Sequence, residues 1–195
     1  MDKGFTLIEI IIAIGVLGFA VAMISLFALN VSQSELFISE NLKIEEDIKQ
    51  ALRIMTPEIR SINSSSNGSY GIAAVSSSSF SFYSDIDADN YFEKVRYFLD
   101  GSTLKKGVIE SSISPFIYDP GQEKIKEVIN GISSDDIFYY YDDSYDGNQS
   151  PLDYPVDVSK IRSVKIVISV EKEINLMPVP VELSLFITIR NLRGI

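Results

Sequence analysis

Gly4, Phe5 and Glu9 are the residues of this chain whose types and spacing point most directly to chemistry. They stand at the mouth of an apolar run that continues from Ile10 to Leu29. A stretch of about 20 apolar residues is long enough to cross a bilayer as a helix. A carboxylate inside such a segment costs about 2.5–3.5 kcal/mol on insertion scales, so Glu9 calls for a partner. Cutting the chain between Gly4 and Phe5 would free an ammonium at Phe5, about one helical turn from Glu9. Two simpler readings leave Glu9 without a purpose. A secretory signal would use Ala20-Val21-Ala22 as its small-residue cleavage site, yet the apolar run continues past it. A plain single-pass anchor accounts for the hydrophobicity alone.

A second group, Asp85, Asp87 and Asp89, has the spacing of the first three ligands of a calcium loop. The match then breaks. Asn90 stands where the loop needs glycine, and Arg96 where it needs a bidentate glutamate, leaving Glu93 as a water-mediated contributor. A solvated, aspartate-rich turn is the expected reading, and no metal site is assigned. The carboxylates of Asp142, Asp143, Asp146 and Asp153 fit no cage spacing.

The chain has no histidine and no cysteine, which removes the commonest general base, thiolate ligands and disulfides. An enzyme would have to rely on a carboxylate pair or Ser-Lys chemistry, and no motif marks either, so no catalytic residue and no cofactor are expected. The net charge of −10 argues against a nucleic-acid partner, which needs a basic footprint, and against docking on anionic lipid. Asn63-Ser-Ser and Asn67-Gly-Ser match the glycosylation pattern by chance in a serine-rich stretch and receive no role.

The elements that position these residues follow from periodicity. Ile44, Ile48, Leu52, Met55, Ile59 and Ile62 recur every three or four residues, predicting that the membrane helix continues as an amphipathic one. Pro57 predicts a kink or weak turn near its end. Ser61–Ser79 reads as a loop with a short strand at Gly71–Val75. Strands are expected at Phe80–Asp85, Glu93–Leu99, Thr103–Val108, Asp136–Asp142, Val164–Val170 and Val179–Asn191. Asp100-Gly101 is a two-residue hairpin signal. Pro178 and Pro180 suit a loop or an edge-strand start. Glu123–Ile129 is ambiguous between helix and strand, and Tyr139–Tyr141 is either an aromatic contact surface or a strand half in the core. The fold class is α+β: a long N-terminal transmembrane and amphipathic helix packed against antiparallel β-sheet. Lys3 before the helix, with Glu35 and Glu40 after it, puts the N-terminus in the cytoplasm and the domain outside.

Gly-Phe-Thr-Leu-Ile-Glu followed by an apolar helix resembles the start of type IV pilins and of the pseudopilins of type II secretion. The resemblance implies a leader, residues 1–4, removed by a prepilin peptidase that cuts after Gly4 and methylates Phe5. It implies that Glu9 neutralises the N-terminus of an adjacent subunit during assembly. The transmembrane helix would then span residues 5–31, its amphipathic continuation 32–62 and a β-rich pilin-like domain 63–195. The run from Phe82 to Val108, Phe138-Tyr-Tyr-Tyr-Asp and Thr188-Ile-Arg-Asn-Leu are similar to J-type minor pseudopilins. That implies a structural, non-enzymatic subunit at the pseudopilus tip that initiates assembly for protein export. Its partners would be other pilins or pseudopilins and an inner-membrane assembly platform. The alternative is a minor pilin of a type IV or DNA-uptake pilus, with an adhesin role.

Overall fold

The computed structural model describes residues 6–112, 115–174 and 177–192. The chain divides into two compact units, Met1–Lys43 and Ile44–Ile195. One helix, α1 (Leu7–Arg60), contributes to both. Within the first unit, Leu7–Ala28 is apolar on every face, and none of it is buried. It is long and apolar enough to cross a membrane. Glu45 and Lys49, farther along α1, form the i,i+4 ion pair that their order favours, at 2.6 Å.

In the second unit the apolar stripe becomes the core. Ile44, Ile48, Leu52, Met55, Ile59 and Ile62 are all buried, and Ala51 fills the stripe between them. The helix runs through Pro57 to Arg60. Pro57 therefore ends nothing by itself. It removes one amide, and helix hydrogen bonding closes a turn later with Ser61 N–H donating to the Pro57 carbonyl at 3.0 Å.

Two antiparallel sheets share that core. The first is a meander in the order β1 (Ile72–Val75), β2 (Ser79–Ser84), β3 (Glu93–Asp100), β4 (Thr103–Ile109) and β5 (Lys124–Asn130). The second runs β6 (Phe138–Tyr141), β7 (Ser163–Ile174) and β8 (Met177–Thr188). The ambiguous stretch is thus a strand, β5, whose Lys124, Lys126 and Glu127 guard a sheet edge against further pairing. Pro178 and Pro180 lie inside β8, opposite Glu173 and Glu171 of β7. β8 is an edge strand, the place in a sheet where proline is tolerated.

The expected hairpin turn is displaced by one residue. Asp100 pairs with Thr103, so the two-residue loop is Gly101-Ser102 and not Asp100-Gly101. Gly101 has φ of 59°. Glycine with positive φ at the first loop position is the signature of a type II′ turn, which matches the strand twist.

Phe80 ties the sheets together. Its ring lies 4.9 Å from Phe82, 5.8 Å from Phe138 and 5.4 Å from Tyr140, centroid to centroid. Tyr140 is itself fully buried and donates to the Ser76 carbonyl at 3.1 Å. Tyr141 is buried against Tyr145 and Phe186. The Tyr139–Tyr141 run is therefore largely core.

One polar contact fixes the helix against the first sheet. Tyr97 and Lys106 face each other across β3 and β4. Both reach Glu58 on α1: Tyr97 Oη donates to Oε2 at 2.7 Å and Lys106 Nζ to Oε1 at 2.5 Å. The pair is largely buried, and burial followed by the Glu58 charge pushes the Tyr97 hydroxyl pKa well above its ordinary value. Lys106→Met should cost about 3 kcal/mol in chemical denaturation, because it strands a buried carboxylate. Adding Glu58→Gln should recover part of that loss, and strictly additive costs would mean the pair is not coupled. Phe80→Ala should cost about 3–5 kcal/mol by emptying the shared aromatic centre.

Candidate functional site

Gly4 and Phe5 lie outside the described residues; Thr6 and Glu9 lie within them. Thr6 precedes the first residue of α1, and Glu9 is the third residue of the helix. The two form a reciprocal capping box. Thr6 N–H and Thr6 Oγ1 each donate to Glu9 Oε2 at 3.1 Å, and Glu9 N–H approaches Thr6 Oγ1 at 3.4 Å. Glu9 is acidic in the first helical turn, where the unsatisfied amides favour negative charge. The carboxylate thus starts its own helix. All of its bonds go to Oε2, which leaves Oε1 free of partners among the described residues.

Around Glu9 the surface is apolar and open. Ile10, Ala13, Ile14 and Leu17 share with it a shallow concavity of about 340 Å³. Large exposed side chains continue through Val16, Phe19 and Phe27. A soluble monomer rarely exposes so long an apolar surface, which needs lipid or neighbouring protein to cover it. In such surroundings a carboxylate is costly without a partner.

The aspartate turn between β2 and β3 has a different use. Carboxylate oxygens of Asp85, Asp87 and Asp89 come within 4.8 Å of one another. Asp85 accepts the amides of Asp89 at 3.2 Å and Asn90 at 3.1 Å, and Asp89 accepts that of Tyr91 at 2.7 Å. Ala88 and Asn90 take left-handed φ values of 64° and 69°. The Asp85 and Asp89 side chains thereby help to fold a turn that has no glycine. Arg96, at the position of the missing final ligand, forks onto Glu123 through Nε at 2.9 Å and Nη2 at 2.7 Å. That fork passes over Gly107, where any Cβ would collide with the Glu123 carboxylate. Asp142 and Asp146 likewise accept bonds from their own turns, from Ser144 and Asn148. Their carboxylates form no metal-sized group with Asp143 or Asp153 among the described residues.

Glu93 is the least expected carboxylate. It opens β3, is buried, and accepts the Ile86 amide at 3.0 Å. Burial raises its pKa, the Ile86 bond opposes the rise, and the charges of Asp87 and Asp89 add to it. Spacing gave no sign of this, since Glu93 reads as one polar residue in an alternating strand.

Residues 1–25 match the family defined by the prokaryotic N-terminal methylation motif. No curated protein matches the chain. The N-terminus accordingly resembles that of type IV pilin-like prepilins. The motif implies processing by a prepilin peptidase. Together with the exposed apolar helix, it points to a membrane or pilus location.

Because the folded state binds the Glu93 proton more tightly than the unfolded chain does, this group favours folding at acid pH. Its contribution is lost as pH rises through its folded-state pKa. Glu93→Gln keeps an acceptor for the Ile86 amide and removes the titration. The melting temperature of this variant should gain on the parent as pH rises from about 4 to about 7. A constant difference across that range would show that Glu93 does not titrate in the window.

Proposed function

We propose that the chain is a filament subunit, cleaved after Gly4, methylated at Phe5, and assembled through a charge pair between Glu9 and the new N-terminus of a neighbouring subunit. The observation that carries this reading is the half-satisfied Glu9. One oxygen caps its own helix, and the other has no donor among the described residues, beside an apolar concavity. A methylated ammonium delivered by a neighbour has the charge and the size to fill that position. The exposed helix from Leu7 to Ala28 supplies the apolar surface along which subunits pack, once drawn from the membrane. The role is structural, and the chemistry at Gly4-Phe5 is performed on this chain by another enzyme.

Within that class we favour a minor subunit of the J type, seated at the tip of a type II secretion pseudopilus and starting its assembly. The β3–β4 hairpin and the Phe138–Tyr141 strand, with the sequences quoted above, support it. The β-rich unit would lie outside the cytoplasmic membrane and the N-terminus inside.

Three variants test the contact. Gly4 replaced by a larger residue should leave an unprocessed chain in the membrane, visible by its mass. Glu9→Ala should be processed yet enter filaments about tenfold less or worse, since an unpaired buried charge costs several kcal/mol. Glu9→Gln separates the two uses of the side chain, because it keeps an acceptor for Thr6 and loses the charge. Normal incorporation of Glu9→Gln would mean that the residue serves only its own helix. Crosslinking in the native cell with mass spectrometry should recover minor pseudopilins and a secretin; recovery of a retractile pilus or DNA-uptake set would move the assignment there.

A further inference from the structure

Five arginines lie among the described residues, and they divide by what they touch. Arg96 forks onto Glu123, and Arg162 donates to the carbonyls of Ser159 at 2.7 Å and Ile161 at 3.0 Å. Arg53, Arg60 and Arg190 make no hydrogen bond or ion pair among the described residues. These three converge on one concavity of about 630 Å³, whose wall also includes Thr56, Ser61 and Asn191.

The convergence is built by the fold. Residues 53, 56 and 60 share one face of α1 by their three- and four-residue spacing. Arg190 arrives from the 3-10 turn Arg190–Leu192, fastened to the end of the helix by Asn191 Nδ2 donating to the Ile62 carbonyl at 3.0 Å. Arg60 lies in the last turn of α1, where the carbonyl end favours a cation. That effect dies away within a turn and gives nothing to Arg53. The concavity thus gathers three arginines in a chain whose net charge is −10.

We infer that this concavity is a docking site for a short acidic segment of a partner protein, whose carboxylates are taken by Arg53, Arg60 and Arg190. A guanidinium matches a carboxylate through two parallel N–H bonds. The remaining wall suits a peptide. Thr56 Oγ1 donates to the Leu52 carbonyl at 2.6 Å, which leaves its lone pairs to accept a peptide amide, whereas Ser61 Oγ is engaged by the Pro57 carbonyl and by Ser84 Oγ, both at 2.8 Å. Asn191 donates to Ile62 and keeps its Oδ1 as an acceptor. The volume lies in the range of about 300–1,000 Å³ usual for a small bound group. Nucleic acid and anionic bilayers bring extended negative charge, which the chain's net charge of −10 repels. A short segment brings only a few carboxylates, to a place where three arginines gather. The site requires neither cleavage at Gly4 nor the Glu9 contact, so its failure and the failure of the assembly reading are separate results.

The test uses the full chain in neutral detergent, with anisotropy of a labelled oligoglutamate peptide and its oligoglutamine counterpart. Oligoglutamate should bind and lose affinity as salt is raised, and oligoglutamine should not bind. Arg53→Gln with Arg190→Gln should weaken binding by about tenfold or more at an unchanged melting temperature. If that double variant melts early, Arg190→Gln alone, on a surface turn, should still show weaker binding. Equal binding of the two peptides, or affinity indifferent to the arginines, overturns the inference. So does saturation by inorganic phosphate with no gain from the peptide, which would mean a free-anion site. Tighter binding to phosphatidylglycerol vesicles than to the peptide would overturn it in favour of lipid.

Discussion

The second unit depends on the burial of one stripe, Ile44 to Ile62, along α1. Two sheets of unequal size each carry an apolar face, and both faces belong to a single core with that stripe. Phe80 marks the common ground, a ring from the first sheet in contact with rings from the second. Hydrophobic burial is non-directional and would tolerate several placements of a helix on a sheet. The Glu58 carboxylate supplies direction. It sits beside the stripe and is acceptable there only with Lys106 and Tyr97 around it, which fixes the helix against β3 and β4.

The first part of α1 obeys the opposite rule. Between Leu7 and Ala28 its apolar side chains face outward with no core of their own. The end of such a helix leaves amides unsatisfied, and in apolar surroundings water cannot meet them. The capping box of Thr6 and Glu9 meets part of that need. A carboxylate that looks costly in a membrane segment therefore has an intrinsic reason to be there. The proposed contact with a neighbour adds a second use to a side chain that the helix already requires.

Charge follows a similar division between local and long-range uses. The aspartates of the β2–β3 turn and of the segment after β6 mostly accept amides within their own turns. Some arginines are used across distance: Arg96 crosses the sheet to Glu123, and Arg53 and Arg60 meet Arg190 at one concavity. The acidic balance of the chain makes that last cluster stand out in kind as well as in sign.

The sequence by itself determined whatever depends on near neighbours. The N-terminal motif, the apolar span, the core stripe and seven of the eight strands were legible, because side-chain periodicity and turn residues act over a few positions. Ambiguity remained where both periods fitted, as at Lys124–Asn130, and a turn slipped by one residue where Asp100-Gly101 and Gly101-Ser102 were both acceptable. Tertiary structure alone decided the burial of Glu93, the attachment of Glu58 to a cross-strand pair, and the meeting of Arg190 with residues of α1. Those depend on which loops close and which strands lie side by side, and no local pattern records the result. The acidic composition, read alone, gave no hint of a basic concavity, because net charge is a sum and the fold decides where its terms are placed.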